Sequence, residues 1–239
     1  MSATRIRAIF RKELREYRRN GSIVATMAIL PLIFVAQPLI QVFSLPASSA
    51  RTLAGKDPLL YMLGIPALVP AALAAYSVVG ERQQGTLEPV LTTPIRREEF
   101  LLGKALAVLA PALAISYAVF GLSVASIALF AQPAVASAVL RAPELLAQVA
   151  FTPLLAGWSV WVGVAISARS NDGRVAQQLS ILASLPTVVV TSLIAFGVVH
   201  ATLGLALALG AGLLAVDVRG WRFVAPMLDR ERLITGTRS

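Results

Sequence analysis

The sequence predicts an all-α membrane protein. It has six transmembrane helices, an amphipathic amino-terminal interfacial helix, and a short cytoplasmic helix between spans 2 and 3. Three observations carry this. Only 14% of the 239 residues are charged while 57% are hydrophobic, and mean hydropathy is +0.76. A soluble domain carries about 25% charged residues, so this chain has too little charge to clothe a surface in water, and lipid must cover it. The charges fall in clusters separated by long uncharged stretches. The basic residues also divide unequally when those stretches are taken as crossings.

The uncharged stretches are 20–50, 58–80, 105–140, 145–168 and 175–216. A spanning helix needs about 20 apolar residues. The first, second and fourth hold one span each, the third one span and a loop, and the last, 42 residues long, two spans and a tight turn. Spans are expected near 23–43, 59–79, 105–130, 146–168, 176–197 and 200–216. Alternating runs of about 10 residues, the mark of barrel strands, are missing from these stretches. Segments 1–21, 81–104, 169–174 and 217–239 then hold 7, 4, 2 and 5 Lys/Arg, which is 18 of the 21; Arg51, Lys56 and Arg141 lie on the other side. By the positive-inside rule both termini are cytoplasmic and the location is the cell (inner or plasma) membrane. Parity requires the last stretch to cross an even number of times, as two spans or as a re-entrant pair broken at Pro186. Charge spread along membrane edges, with no aromatic-lined groove, excludes a nucleic-acid partner and suits membrane lipid.

Residues 1–21 read as the cytoplasmic interfacial helix, 22–217 as the six-helix transmembrane domain, and 218–239 as a cytoplasmic tail. Over 4–19, Ile6, Ile9, Phe10, Leu14 and Tyr17 recur on one helical face and cations occupy much of the rest. Such a helix lies in the headgroup layer, either as a topology anchor or as a lever for a cytoplasmic partner. Asn20-Gly21 predicts a left-handed stop before the first span. The small residues Ala47-Ser48-Ser49-Ala50 resemble a cleavage site, but the apolar run before them exceeds a 7–15-residue signal core, so a retained first helix is expected.

The first inner loop runs from Gly80 to Pro94. Gly80 can end the second span, Gly85 permits a bend, Thr86 can cap a helix and Pro89 is tolerated in its first turn. A helix of about two turns over 87–92 places Leu87, Val90 and Leu91 on one face. Two turns are unstable alone in water, so this helix must rest on lipid or protein.

The run Glu81-Arg82-x-x-Gly85-Thr86-Leu87-Glu88-Pro89-x-Leu91-x-Thr93-Pro94, continuing through Glu99, Leu101, Leu102 and Gly103-Lys104, resembles the signature of the ABC transporter type-2 permease family. The order of elements is similar too, and Asp229-Arg230-Glu231-Arg232-Leu233 resembles a tail element of that family. The resemblance implies that the short helix is a coupling helix seated in a separate ATPase subunit. Glu81, Arg82, Gly85, Thr86, Leu87, Glu88, Val90 and Leu91 would make that contact, with Glu81 and Arg82 as a polar hinge. It further implies an exporter working by alternating access, two ATPase copies, and a second permease copy, identical or related. The 42-residue stretch leaves little room for the external re-entrant helices of many relatives.

The chain itself should not be an enzyme. A phosphate-cradling Walker sequence needs Gly-x-x-x-x-Gly-Lys-Ser/Thr, but Gly103-Lys104 lacks the first glycine and is followed by Ala105. ATP and magnesium would belong to the partner, and no cofactor to this chain. With no cysteine and one histidine, His200, neither a thiolate nor a multi-histidine metal site can form. No Asp, Glu, Lys or Arg falls within the expected spans, which argues against proton-coupled transport. Gln37, Gln41, Gln148 and Thr152 are candidates to line a path. Gly204, Ala208 and Gly212, spaced every four residues, allow close helix approach within the chain or to a second copy. The alternative function is a membrane scaffold or assembly protein that conducts nothing, and it would neither co-purify with an ATPase nor stimulate one.

Overall fold

The computed structural model describes residues 2–46, 48, 50–85 and 96–224. Every regular element among them is helical, and six helices are long and apolar enough to cross a membrane. Helix α1, Ala3–Arg19, precedes α2, Gly21–Ser44. A short helix α3, Ala50–Ala54, follows, and then a broken second span. The third span is α6, Arg97–Phe130; a short α7, Pro133–Val139, links it to α8, Ala142–Arg169. Helices α9, Gly173–Ala195, and α10, Leu203–Val224, complete the chain.

The stretch 175–216 forms two helices, and Pro186 lies inside an unbroken α9. A short turn joins them, with Gly197 at φ +75°, which a side chain would strain. Helix α10 starts at Leu203 and continues beyond 216, so Asp217 belongs to it and packs over Gly157 of α8.

The second span is the centre of the bundle. In its most apolar 18 residues, 94% of the positions are buried, against 6% over Leu203–Gly220. A helix apolar on all sides belongs in a core, and every residue of α4, Gly64–Ala74, is buried. Around it stand α2, α6, α8 and α9, while α10 packs chiefly on α8. Large side chains such as Leu32, Ile40, Leu122 and Leu182 remain exposed on the outer helices, as lipid contact requires.

This span is not one continuous α-helix. A 3-10 segment, Pro58–Leu63, leads into α4, hydrogen bonds tighten to three-residue turns at Tyr76 and Ser77, and α5, Val79–Gln83, restarts the helix. The expected stop at Gly80 is therefore absent, and Gly80 lies within α5. In lipid every freed backbone N–H needs a partner. The Ser167 hydroxyl of α8 supplies it, accepting from Val78 N at 3.0 Å and Val79 N at 3.1 Å. Close approach of α8 is secured by Gly163, where a Cβ would come within 2.6 Å of the Ala74 Cβ.

The boundary between α1 and α2 differs from expectation. Asn20 is extended, at φ −97° and ψ 104°, and Gly21 is not left-handed. The chain turns through an extended residue because the Asn20 carboxamide can then accept from Ile23 N at 3.4 Å and open α2.

Candidate functional site

At the end of the bundle that carries α1, three elements converge on one buried ionic joint. The apolar face of α1 lies against α6: Ile9 and Tyr17 are buried, and Phe10 and Leu14 pack on the core. Gly103 allows this closeness, since a Cβ there would meet the Ile9 Cβ at 2.8 Å. The Ile6 carbonyl sits over the same glycine. The start of α6 is tied to the start of α1 through Glu99, which accepts from Arg96 N at 3.2 Å, from Ser2 N at 2.6 Å, and from Arg5 at 3.4 Å.

Within this packed face sit charges. The Lys104 ammonium of α6 lies 2.7 Å from Glu13 of α1 and 3.0 Å from Glu81 of α5, with the Phe100 ring 4.9 Å away. Lys12 reaches Glu81 at 2.8 Å and Glu16 at 3.4 Å. The Lys104, Glu13 and Glu81 side chains are only 1–5% exposed, so the ions are dry and depend on one another. Burial alone would lower the pKa of Lys12, but the hydrogen bond and charge of Glu81 outweigh it and raise it above the ordinary lysine value. A polar cavity of about 640 Å³, lined in part by Glu13, Glu16, Tyr76 and Ser77, opens beside the joint.

Arg82, the next residue, turns the other way. Its guanidinium donates to the Ser170 carbonyl at 2.7 Å, the Ala168 carbonyl at 3.1 Å and the Asn171 side chain at 3.2 Å. It thus caps the end of α8, where unpaired carbonyls favour a cation. Tyr76 donates to Gln177 of α9 at 3.1 Å. Gly85 has φ +67°, the left-handed bend its sequence position requires. The remaining contact candidates, Thr86, Leu87, Glu88, Val90 and Leu91, lie outside the described residues, as does the tail after Val224.

The four path candidates differ in burial. Gln148 and Thr152 are buried within the bundle, and Thr152 donates to the Gln148 carbonyl at 2.6 Å. Gln37 and Gln41 are half-buried on α2. Neither Gly204 nor Gly212 has a neighbour within 4 Å of its Cβ position, so intrachain packing among the described residues does not use that stripe.

Sequence reasoning missed the joint itself. Glu13 stands four residues from both Ile9 and Tyr17, on the apolar stripe of α1, and that position is the signal for its burial. Lys104 likewise falls between Leu101 and Val108 on the inner face of α6.

A six-span helical bundle with a charged joint at the foot of its central span is a multi-pass membrane protein. Residues 7–213 match the family described as ABC-2 family transporter protein, and the chain belongs to that family. It is therefore the permease component of an ABC transporter, the membrane subunit whose counterpart is an ABC ATPase. Comparison with curated proteins finds no match.

Proposed function

We propose that this chain is the permease of an exporter in the inner membrane, with both termini cytoplasmic, driven by ATP hydrolysis on two separate ATPase copies. The loop after Gly85 would dock into the ATPase through Leu87, Val90 and Leu91. The observation that carries this reading is the anchorage of the loop's stem. Glu81 is joined to α1 and α6, and Arg82 to the end of α8. A push on the loop would reach three elements at once: Glu81, Lys104 and Glu13 cannot separate without stranding charge in a dry interior, and Arg82 is hydrogen-bonded to the end of α8. Glu81 and Arg82 serve this reading as the hinge that passes the motion on. The small-residue stripe on α10 is open to a second copy of the permease. Two such bundles would enclose a path, alternating access between the two sides of the membrane.

Changing Leu87 or Leu91 to Asp tests the docking role in proteoliposomes containing both subunits. Stimulation of the ATPase by the permease should fall at least about tenfold, equivalent to losing ~1.4 kcal/mol of coupling, while the spans stay folded. Stimulation at the wild-type level would remove the coupling role. Failure of the two proteins to co-purify would favour the scaffold reading instead.

A further inference from the structure

We propose that the groove between α1, α2 and α6 is a binding site for one anionic phospholipid of the adjoining leaflet. The groove holds about 1090 Å³. That is slightly above the roughly 300–1,000 Å³ usual for sites that engulf a small ligand. Its floor is apolar, formed by Val24, Met27 and Ala28 of α2 and by Pro111 of α6. Its rim is cationic, with Arg11, Arg15, Arg18 and Arg19 of α1 along it. These residues follow one another at i, i+4, i+7 and i+8, so three of the four lie on one stripe, which runs along roughly 12 Å of helix.

The carboxylates of α1 stay out of this groove, although Glu16 lies beside Arg11, Arg15 and Arg19 on the outer surface of the helix. Glu13 and Glu16 line the neighbouring polar cavity, which shares Tyr17 and Arg19 with the groove, and there Lys104 and Lys12 neutralise them. No carboxylate lines the arginine groove, and among the described residues these four arginines form no ion pair. Four cations over an apolar slot are complementary to one kind of molecule, an anionic headgroup with acyl chains.

The placement relative to the membrane agrees. Helix α6 has 34 residues and is about 50 Å long, whereas the hydrocarbon layer is about 30 Å thick. All its charged residues, Arg97, Glu98, Glu99 and Lys104, fall in its first turns, so that end projects beyond the hydrocarbon, and α1 lies along it. The arginines then stand at headgroup depth, and Val24, Met27 and Ala28 in the first turns of α2 stand at acyl depth. A lipid seated here would bridge α1 to the first and third spans, across Tyr17 from the ionic joint.

Native mass spectrometry of the detergent-purified transporter, permease with its ATPase, tests this with added phosphatidylglycerol or phosphatidylcholine. One phosphatidylglycerol per permease chain should be retained at lipid concentrations that leave phosphatidylcholine unbound, and should raise the unfolding temperature. The double variant Arg11→Gln/Arg15→Gln should bind about 30-fold more weakly, from about fivefold per cation lost near the surface. Ala28→Trp, which fills the slot and keeps every charge, should lose the retained lipid. Arg7→Gln, exposed on α1 away from the groove, should bind normally. Equal retention of the two lipids, full retention by Ala28→Trp, or an equal loss in Arg7→Gln would overturn the site. So would crosslinking of a cysteine at Ala28 to the ATPase or to a second permease, which would show a protein in the groove.

Discussion

Lys104 has an ammonium with two carboxylates within 3.0 Å and no access to solvent. Taking these ions out of water costs several kcal/mol each, which their mutual attraction only offsets when all are present. Lys104→Met keeps the volume but strands Glu13 and leaves Glu81 with Lys12 alone. It should destabilise the fold by about 3–5 kcal/mol, read as thermal unfolding in detergent. The triple change Glu13→Gln/Glu81→Gln/Lys104→Met removes every stranded charge and should recover much of that loss. If the triple variant is as unstable as the single one, the joint is held by shape and not by charge. The individual charges were visible in the sequence, and so was the apolar stripe of α1. Their meeting was not, because Glu13 and Lys104 are 91 residues apart and neither periodicity nor charge counting pairs helices.

Among elements, the broken second span shows what hydropathy can and cannot tell. The six crossings were legible because burial in lipid leaves a signal on every residue of a span. The interruption at Tyr76–Val78 left no such mark. Its prolines, Pro66 and Pro70, sit a turn or more earlier, and the repair comes from Ser167 on another helix. Ser167→Ala should leave two buried N–H groups unpaired at a cost of about 1–3 kcal/mol. Faster amide exchange confined to Val78 and Val79 would locate the effect, whereas protection unchanged from wild type would mean the segment has other partners. The interface between α4 and α8 gives a second test. Gly163→Ala should cost about 1–3 kcal/mol by overpacking, since the new methyl meets Ala74 at 2.6 Å and the Ala71 carbonyl at 2.8 Å. Gly121→Ala, with nothing within 4 Å, should be neutral or slightly stabilising by helix propensity. A thermal shift of the same size in both would show that α4 and α8 are not closely locked.

For the whole molecule, the two ends of the bundle are fastened by charges of different kinds. At the α1 end the joint is dry. At the far end Arg141 pairs with Asp57 at 2.7 Å and Glu144 at 2.6 Å and donates to the Lys56 carbonyl at 3.2 Å, but it is 38% exposed and Asp57 is 20% exposed. Ion pairs in reach of water contribute only about 0–1 kcal/mol, because solvent replaces most of what the partner supplies. A bundle that opened alternately at its two ends would therefore part more readily here than at the α1 end. Asp57→Asn keeps Arg141 paired with the buried Glu144 and bonded to the Lys56 carbonyl, and removes only the ionic part of its hold on the loop before the second span. Its cost in global stability should stay below about 1 kcal/mol, several times less than that of Lys104→Met. Because the chain contains no cysteine, a single thiol placed at Gly55 beside this link reports local opening. Its labelling should be faster in Asp57→Asn than in the parent, and unaltered by the triple variant of the distant joint. Equal labelling in Asp57→Asn and the parent would mean that the loop is held by its backbone bonds, from Asp57 N to the Ala195 carbonyl at 3.3 Å and from Arg141 to the Lys56 carbonyl at 3.2 Å, and that the Asp57 charge restrains nothing.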